Sequence, residues 1–168
     1  MDEGRKLLRA FGYAARGILW AIRTQRNLRI HLVATAYVLL FAWVMQIAPV
    51  DFCLELLCCM LVISLELVNS ALERICDGIT TERRPWIRDA KDAAAGAVLI
   101  AAIGSVVLAL VIFFHGGYLT QVRETFAEYP ISWIAAIILI PLGGAFVFLP
   151  KKITKQGQHR IRGAARKK

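Results

Sequence analysis

No glycine-rich phosphate loop of the Walker or protein-kinase type occurs in these 168 residues, so any nucleotide site must be built on other elements. Basic residues are withheld from two short segments: 49–52 has no Lys or Arg, and 115–130 has only Arg123. The 4 cysteines, Cys53, Cys58, Cys59 and Cys76, match no metal-ligand spacing and read as small apolar packing residues, with no disulfides expected. No stretch reads as a cleaved signal peptide, because the first apolar run begins near residue 31 behind a basic segment and no small-residue cleavage pattern follows it. Nor is there an internal repeat of the solenoid kind.

What the chain has in quantity is apolar surface. It is 58% hydrophobic with mean hydropathy +0.56, well beyond the roughly half-apolar composition of a soluble domain. Apolar runs at 31–48, 53–72, 93–114 and 131–149 have the length that a ~30 Å hydrocarbon core demands at about 1.5 Å per residue. The predicted architecture is an all-α integral membrane bundle. Charge then sets orientation. Seven arginines and lysines lie within residues 5–29, five more in the loop 74–92, and eight in the tail 151–168, which has no acid. Positive segments stay cytoplasmic, so both termini and the 74–92 loop face the cytosol, and four crossings satisfy every loop. The tail supplies most of the net +9, and attraction to anionic lipid headgroups accounts for it better than nucleic-acid binding.

Residues 5–23, "RKLLRAFGYAARGILWAIR", carry apolar positions on one helical face and basic ones on the other, the pattern of a helix lying in the membrane interface. "TQRNLRIH" at 24–31 reads as a polar break and "APVD" at 48–51 as a tight turn; Pro85 ends any continuation of the helix before it. Pro141, Gly143 and Gly144 mark the fourth span as open to kinking.

One stretch contradicts its surroundings. After "LLCCMLVI" at 56–63, the segment 64–80, "SLELVNSALERICDGIT", brings Glu66, Asn69, Ser70, Glu73 and Asp77 into the end of a membrane helix, where an ionised carboxylate costs several kcal/mol. At about 100° per residue all five fall within an arc of roughly 100°. They form a stripe at the cytoplasmic end, with Glu66 and Glu73 about two turns, or ~10 Å, apart. A carboxylate in such a place can act as a general base toward a hydroxyl, a second can hold Mg²⁺, and Asn and Ser can orient either. The bland alternative is interhelical hydrogen bonding in an oligomer, but two glutamates and an aspartate on one face are unusual glue. Glu55 falls on nearly the same face and reads as an anchor near the outer boundary. The cytosolic loop adds Glu82 and Arg84 beside Arg83, and Lys91 beside Asp92; the cations suit polyphosphate, and the acids suit metal or a hydroxyl.

"ELVNSALERICD" followed by "AKDAAAGAVLIAAI" and preceded by "RNLRIH" closely resembles the small bacterial diacylglycerol kinase family, including its undecaprenol-kinase branch, over roughly residues 5–114. The resemblance implies a homotrimer in the bacterial inner membrane. Each subunit has one interfacial helix and three spans, and composite cytoplasmic sites transfer the ATP γ-phosphate to a lipid hydroxyl. It implies Glu66 as the base, with Asn69 and Ser70 beside it, and Glu73 as a Mg²⁺ ligand. Lys6, Tyr13, Glu82, Arg84, Lys91 and Asp92 match nucleotide-site positions. Gln25 stands where the family often has a metal-ligating Glu, and an amide oxygen can ligate a hard cation without adding charge. "ERR" at 82–84 departs from the family's usual His or Tyr near the adenine, and "RNLRIH" resembles the undecaprenol branch more than the other. The resemblance divides the chain into a kinase domain, 1–117, and an added span with basic tail, 118–168. A different class, a channel or assembly factor using the stripe for helix association, fits less well. A pore requires polar residues through the whole bilayer, and 56–63 is wholly apolar.

Overall fold

The amphipathic N-terminal pattern becomes one unbroken helix, α1, Glu3–Thr24, with Glu3 in its first turn and Arg23 in its last, each complementing the helix dipole. Gly12 and Gly17 do not interrupt it. Leu7, Leu8 and Phe11 remain 60 to 73% exposed, so the apolar stripe of α1 is turned away from the bundle, as a helix resting on a lipid surface requires. The computed structural model describes residues 3–79, 82, 84–115, 117–118, 121–122, 124 and 131–149, without side chains for 131–137; Arg83 and the basic tail 151–168 fall outside these. Every element among the described residues is a helix.

The expected polar break at 24–31 shrinks to one residue. Gln25 leaves the helix at φ −103°, ψ 116°, and α2 begins at once, Arg26–Val44. Leu28 and Arg29 explain why: both are buried, at 1% and 4% exposure, and burial of a helical face outweighs the local polarity of the sequence. At the other end of α2 the chain closes in a Schellman-type turn. The amide of Ile47 donates to Ala42 O at 3.3 Å and that of Gln46 to Trp43 O at 3.1 Å, with Gln46 at φ 52° in the left-handed region. The turn therefore lies at 45–48, slightly before the expected 48–51, and Pro49 is already the first residue of α3, Pro49–Ile79, a position where its missing N–H costs nothing. Pro85 likewise opens α4, Pro85–His115. The last helix, α5, spans Ile131–Val147 with Pro141 inside it.

By length and composition α2 and α4 are apolar enough to cross a membrane. At 31 residues, α3 extends about 46 Å, longer than a ~30 Å hydrocarbon core. It packs most extensively on α4, then on α2, while α5 lies against α2. At one end Phe41 of α2 meets Phe113 of α4 edge-on at 4.9 Å over a core of Ala42, Met45, Ile47 and Ile112. Tyr118 closes that end: its hydroxyl accepts from the Ala48 amide at 3.0 Å and donates to Asp51 at 3.4 Å. At the opposite end α1 leads into α2, α3 gives way to α4, and the last residues of α5 return. The guanidinium of Arg29 donates to Leu149 O at 2.8 Å, and Arg26 lies over the Phe148 ring at 4.5 Å. The N-terminal helix and the end of α5 thus share one end of the bundle.

Close approach of α5 to α2 depends on Gly143. A Cβ there would collide with the Tyr37 hydroxyl and lie 2.8 Å from Val33 Cγ1. The Tyr37 hydroxyl itself donates to Leu139 O on α5.

Candidate functional site

The polar stripe occupies the last four turns of α3, on the face turned toward the rest of the bundle. Glu66, Asn69 and Ser70 are 3%, 4% and 1% exposed, Glu73 is half-buried and Asp77 exposed. Burial thus falls off stepwise along the helix. Measured from Pro49 at about 1.5 Å per residue, Glu66 sits ~25 Å along α3 and Glu73 ~36 Å; a ~30 Å hydrocarbon core ends between them. Glu66 is therefore placed inside the hydrocarbon near its edge, and Glu73 beyond that edge.

Around Glu66 the side chains are polar and incompletely used. Asn69 lies within hydrogen-bonding reach of the Glu66 carboxylate, and Glu73 is near enough to act on it through space. The amide oxygen of Asn69 and the hydroxyl of Ser70 are buried without a partner. Such atoms cost about 1–3 kcal/mol each when left alone, so a stripe made only to glue helices would pair them. Their orphaned state suits a bound group carrying donors or a cation.

The second cluster meets the stripe across the α3–α4 corner. Lys91 on α4 donates to Asp77 on α3, which ties the "AKD" segment to the foot of the stripe. Asp92 faces Arg88 at 3.8 Å, and Glu82 pairs with Arg84 at 3.1 Å. Gln25 arrives from the α1–α2 elbow. It occupies the N-cap position of α2 yet makes no side-chain capping bond, which leaves its amide available for a ligand. Near the end of α1, Trp20 meets α3: Arg74 stacks over its ring at 4.7 Å. Lys6 and Tyr13 are on the same helix but farther out. Lys6 pairs with Glu3 at 2.6 Å and Tyr13 stacks under Arg16 at 4.7 Å, both exposed on α1's own surface. Within one chain, then, Glu66, Asn69, Ser70 and Glu73 are brought together, Asp77 and Lys91 join them at the edge, and Lys6 and Tyr13 stay apart.

Among the described residues no group of three or more His, Cys, Asp or Glu could hold a metal ion.

Two buried polar groups differ from what the sequence suggests. Glu55, expected as a boundary anchor, is 1% exposed and bonds inward to Ser105 and Cys59. Its position, eleven residues before Glu66 and thus about 20° away on the helical wheel, is the signal that points inward. Arg29 is buried against α5, which no local pattern announces.

Residues 12–113 match the family profile described as prokaryotic diacylglycerol kinase. The chain is 36% identical over 112 residues to an undecaprenol kinase of Bacillus subtilis, covering 67% of this chain and 91% of that protein. It is 39% identical over 103 residues to a diacylglycerol kinase of Synechocystis, covering 61% of this chain and 59% of the relative. A diacylglycerol kinase of Pseudomonas aeruginosa is 29% identical over 97 residues, 58% of this chain and 79% of its own. No solved structure matches. The profile match includes the stripe and the "AKD" corner, and the chain belongs to the prokaryotic diacylglycerol kinase family, a family of membrane-bound lipid kinases.

Proposed function

We propose that the chain transfers the γ-phosphoryl group of ATP to the hydroxyl of a membrane lipid, with Glu66 as general base. The observation that carries this reading is a nearly inaccessible carboxylate, 3% exposed, flanked by the orphaned oxygens of Asn69 and Ser70. Glu66 takes the proton of the lipid alcohol as its oxygen attacks the γ-phosphorus; Asn69 and Ser70 fix the alcohol's direction of approach. Loose phosphoryl transfer asks little covalent chemistry of the protein, so positioning and charge neutralisation supply most of the catalysis. Mg²⁺, held by Glu73 and Gln25, would neutralise the phosphate oxygens. Lys91 and Arg84 bring cations to the polyphosphate, while Glu82 and Asp92 orient them or bind nucleotide hydroxyls.

Lys6 and Tyr13 complete the nucleotide site from α1. Because they lie apart from Glu66 in one chain, the complete site is composite and the working unit is a homotrimer. The enzyme sits in the bacterial inner membrane with both termini and the active site cytoplasmic. Residues 1–117 carry the chemistry; 118–168 are accessory, the basic tail attracting anionic headgroups. The lipid is an isoprenoid alcohol of the undecaprenol type. The relative most fully covered by the match is an undecaprenol kinase, and "RNLRIH" points the same way. Diacylglycerol is the second candidate, on the likeness to the Synechocystis kinase.

The deciding assay offers purified protein ATP and Mg²⁺ with undecaprenol or diacylglycerol in mixed micelles and follows lipid phosphate. Turnover of undecaprenol well above diacylglycerol is expected. Turnover of neither lipid overturns the reading.

A further inference from the structure

The second buried carboxylate lies outside the catalytic stripe, about 16 Å along α3 from Glu66. It borders a half-open cavity of about 310 Å³ between α2, α3 and α4, with His31, Thr35, Val38, Glu55, Ser105 and Ala109 among its lining residues. That volume is at the lower end of what small-molecule sites occupy. The walls are mostly apolar, with Cys59 and Ser105 bonded to Glu55 and with His31 and Thr35 as further polar lining. Both hydrogen bonds to Glu55 fall on the same oxygen: Ser105 Oγ donates to Oε1 at 3.5 Å and Cys59 Sγ at 3.8 Å, both long. The other oxygen, Oε2, is buried and has no partner, although Glu55 is 1% exposed.

The chemistry of an occupant follows from this wall. It must be apolar over most of its surface and must bring one polar group to Oε2. A hydrocarbon leaves that oxygen orphaned, at about 1–3 kcal/mol. An ammonium would need an ionised carboxylate as its sole counter-ion within the bilayer, with no second acid in the lining. A neutral hydroxyl donates to Oε2, the acceptor left without a partner, and brings no charge into the bilayer. We infer that the cavity between α2, α3 and α4 is a second, non-catalytic binding site for a lipid alcohol, whose hydroxyl bonds to Glu55 Oε2 while its chain lies against Val38 and Ala109. The site goes beyond the proposed catalysis and does not depend on Glu66. Two sources share the chemistry, an isoprenoid alcohol and a diglyceride.

The test is photoaffinity labelling of the purified full chain in detergent, without ATP. The probe is a long-chain alcohol bearing a diazirine in its chain, and adducts are mapped by peptide mass spectrometry. Adducts are expected on the cavity segments of α2 and α4, displaced by unlabelled farnesol or by dioctanoylglycerol; the stronger competitor identifies the source. The methyl ether of the same probe, which cannot donate, should label the cavity about tenfold less, the effect of losing one buried hydrogen bond. Glu55→Leu should lower cavity labelling similarly while leaving adducts beside Glu66 unchanged. Equal cavity labelling by alcohol and ether, equal labelling of wild type and Glu55→Leu, or no cavity adducts would overturn the inference. If Glu55→Leu does not fold, the ether comparison on the wild-type chain still decides. Cavity adducts without adducts near Glu66 would count against the catalytic reading and leave this one standing.

Discussion

Glu55 and Glu66 occupy one face of one helix, and both are almost wholly withdrawn from solvent, at 1% and 3% exposure. Their surroundings divide them. Glu66 stands where α3 approaches the end of the hydrocarbon, with Asn69, Ser70, Glu73 and then Asp77 continuing its face toward the α3–α4 corner. Glu55 stands in the other half, about one turn beyond Phe52 of the end packing, with one serine, one cysteine and a mostly apolar cavity for company. The same side chain at the same burial thus has a run of polar neighbours leading out of the hydrocarbon in one place and mostly apolar contacts in the other. Burial alone does not separate the two; the neighbours do.

The largest expected effect separates the two. Glu66→Gln keeps size and polarity but removes the base, and turnover should fall by about 10²–10⁴-fold while the trimer survives size-exclusion chromatography. Glu55→Gln should leave turnover nearly unchanged. Retention of more than about a tenth of wild-type activity by Glu66→Gln, outside the range of general-base losses, would erase the distinction between the two acids.

A smaller effect sharpens what the cytosolic neighbours contribute. Glu73→Ala should raise the Mg²⁺ concentration for half-maximal activity by about tenfold or more, since a carboxylate ligand is lost. Gln25→Glu should lower it, because a charged oxygen then replaces the amide. A magnesium titration of both variants checks this; an unchanged midpoint in Gln25→Glu removes that side chain from the metal site.

The smallest effect concerns the part farthest from either acid. A chain ending at Gly117 should insert into membranes and retain near-normal specific activity, because every residue assigned to the site precedes 93. Gly143→Leu in the full chain should instead cost about 1–3 kcal/mol through overpacking against Val33 and Tyr37, seen as a lower detergent melting temperature with turnover maintained. Loss of the trimer in the shortened chain would make α5 part of the working fold.

Much of this was readable in advance, for particular reasons. The stripe is legible because a helix repeats its faces every three to four residues, and five polar groups in an apolar run stand out against that period. The amphipathic α1 follows from an equally local rule, whereas Pro49 and Pro85, expected in a turn and as a helix stop, prove to open α3 and α4. The break before α2 was overestimated, since a run of polar residues reads as a loop until Leu28 and Arg29 are seen to be buried.

Composition, period and charge by themselves determined that the chain is helical, that it is built for a membrane, and where its polar face runs, because each of these is a property of short segments and of a solvent that will not accept unpaired polar groups. Tertiary packing alone decided that Glu55 bonds to Ser105, fifty residues away in sequence, that Lys91 reaches Asp77 across a corner, and that Arg29 caps the end of α5 through Leu149. These contacts join residues between fourteen and a hundred and twenty positions apart. No local periodicity carries that information, because which helix faces which is settled only when all of them bury their surfaces together.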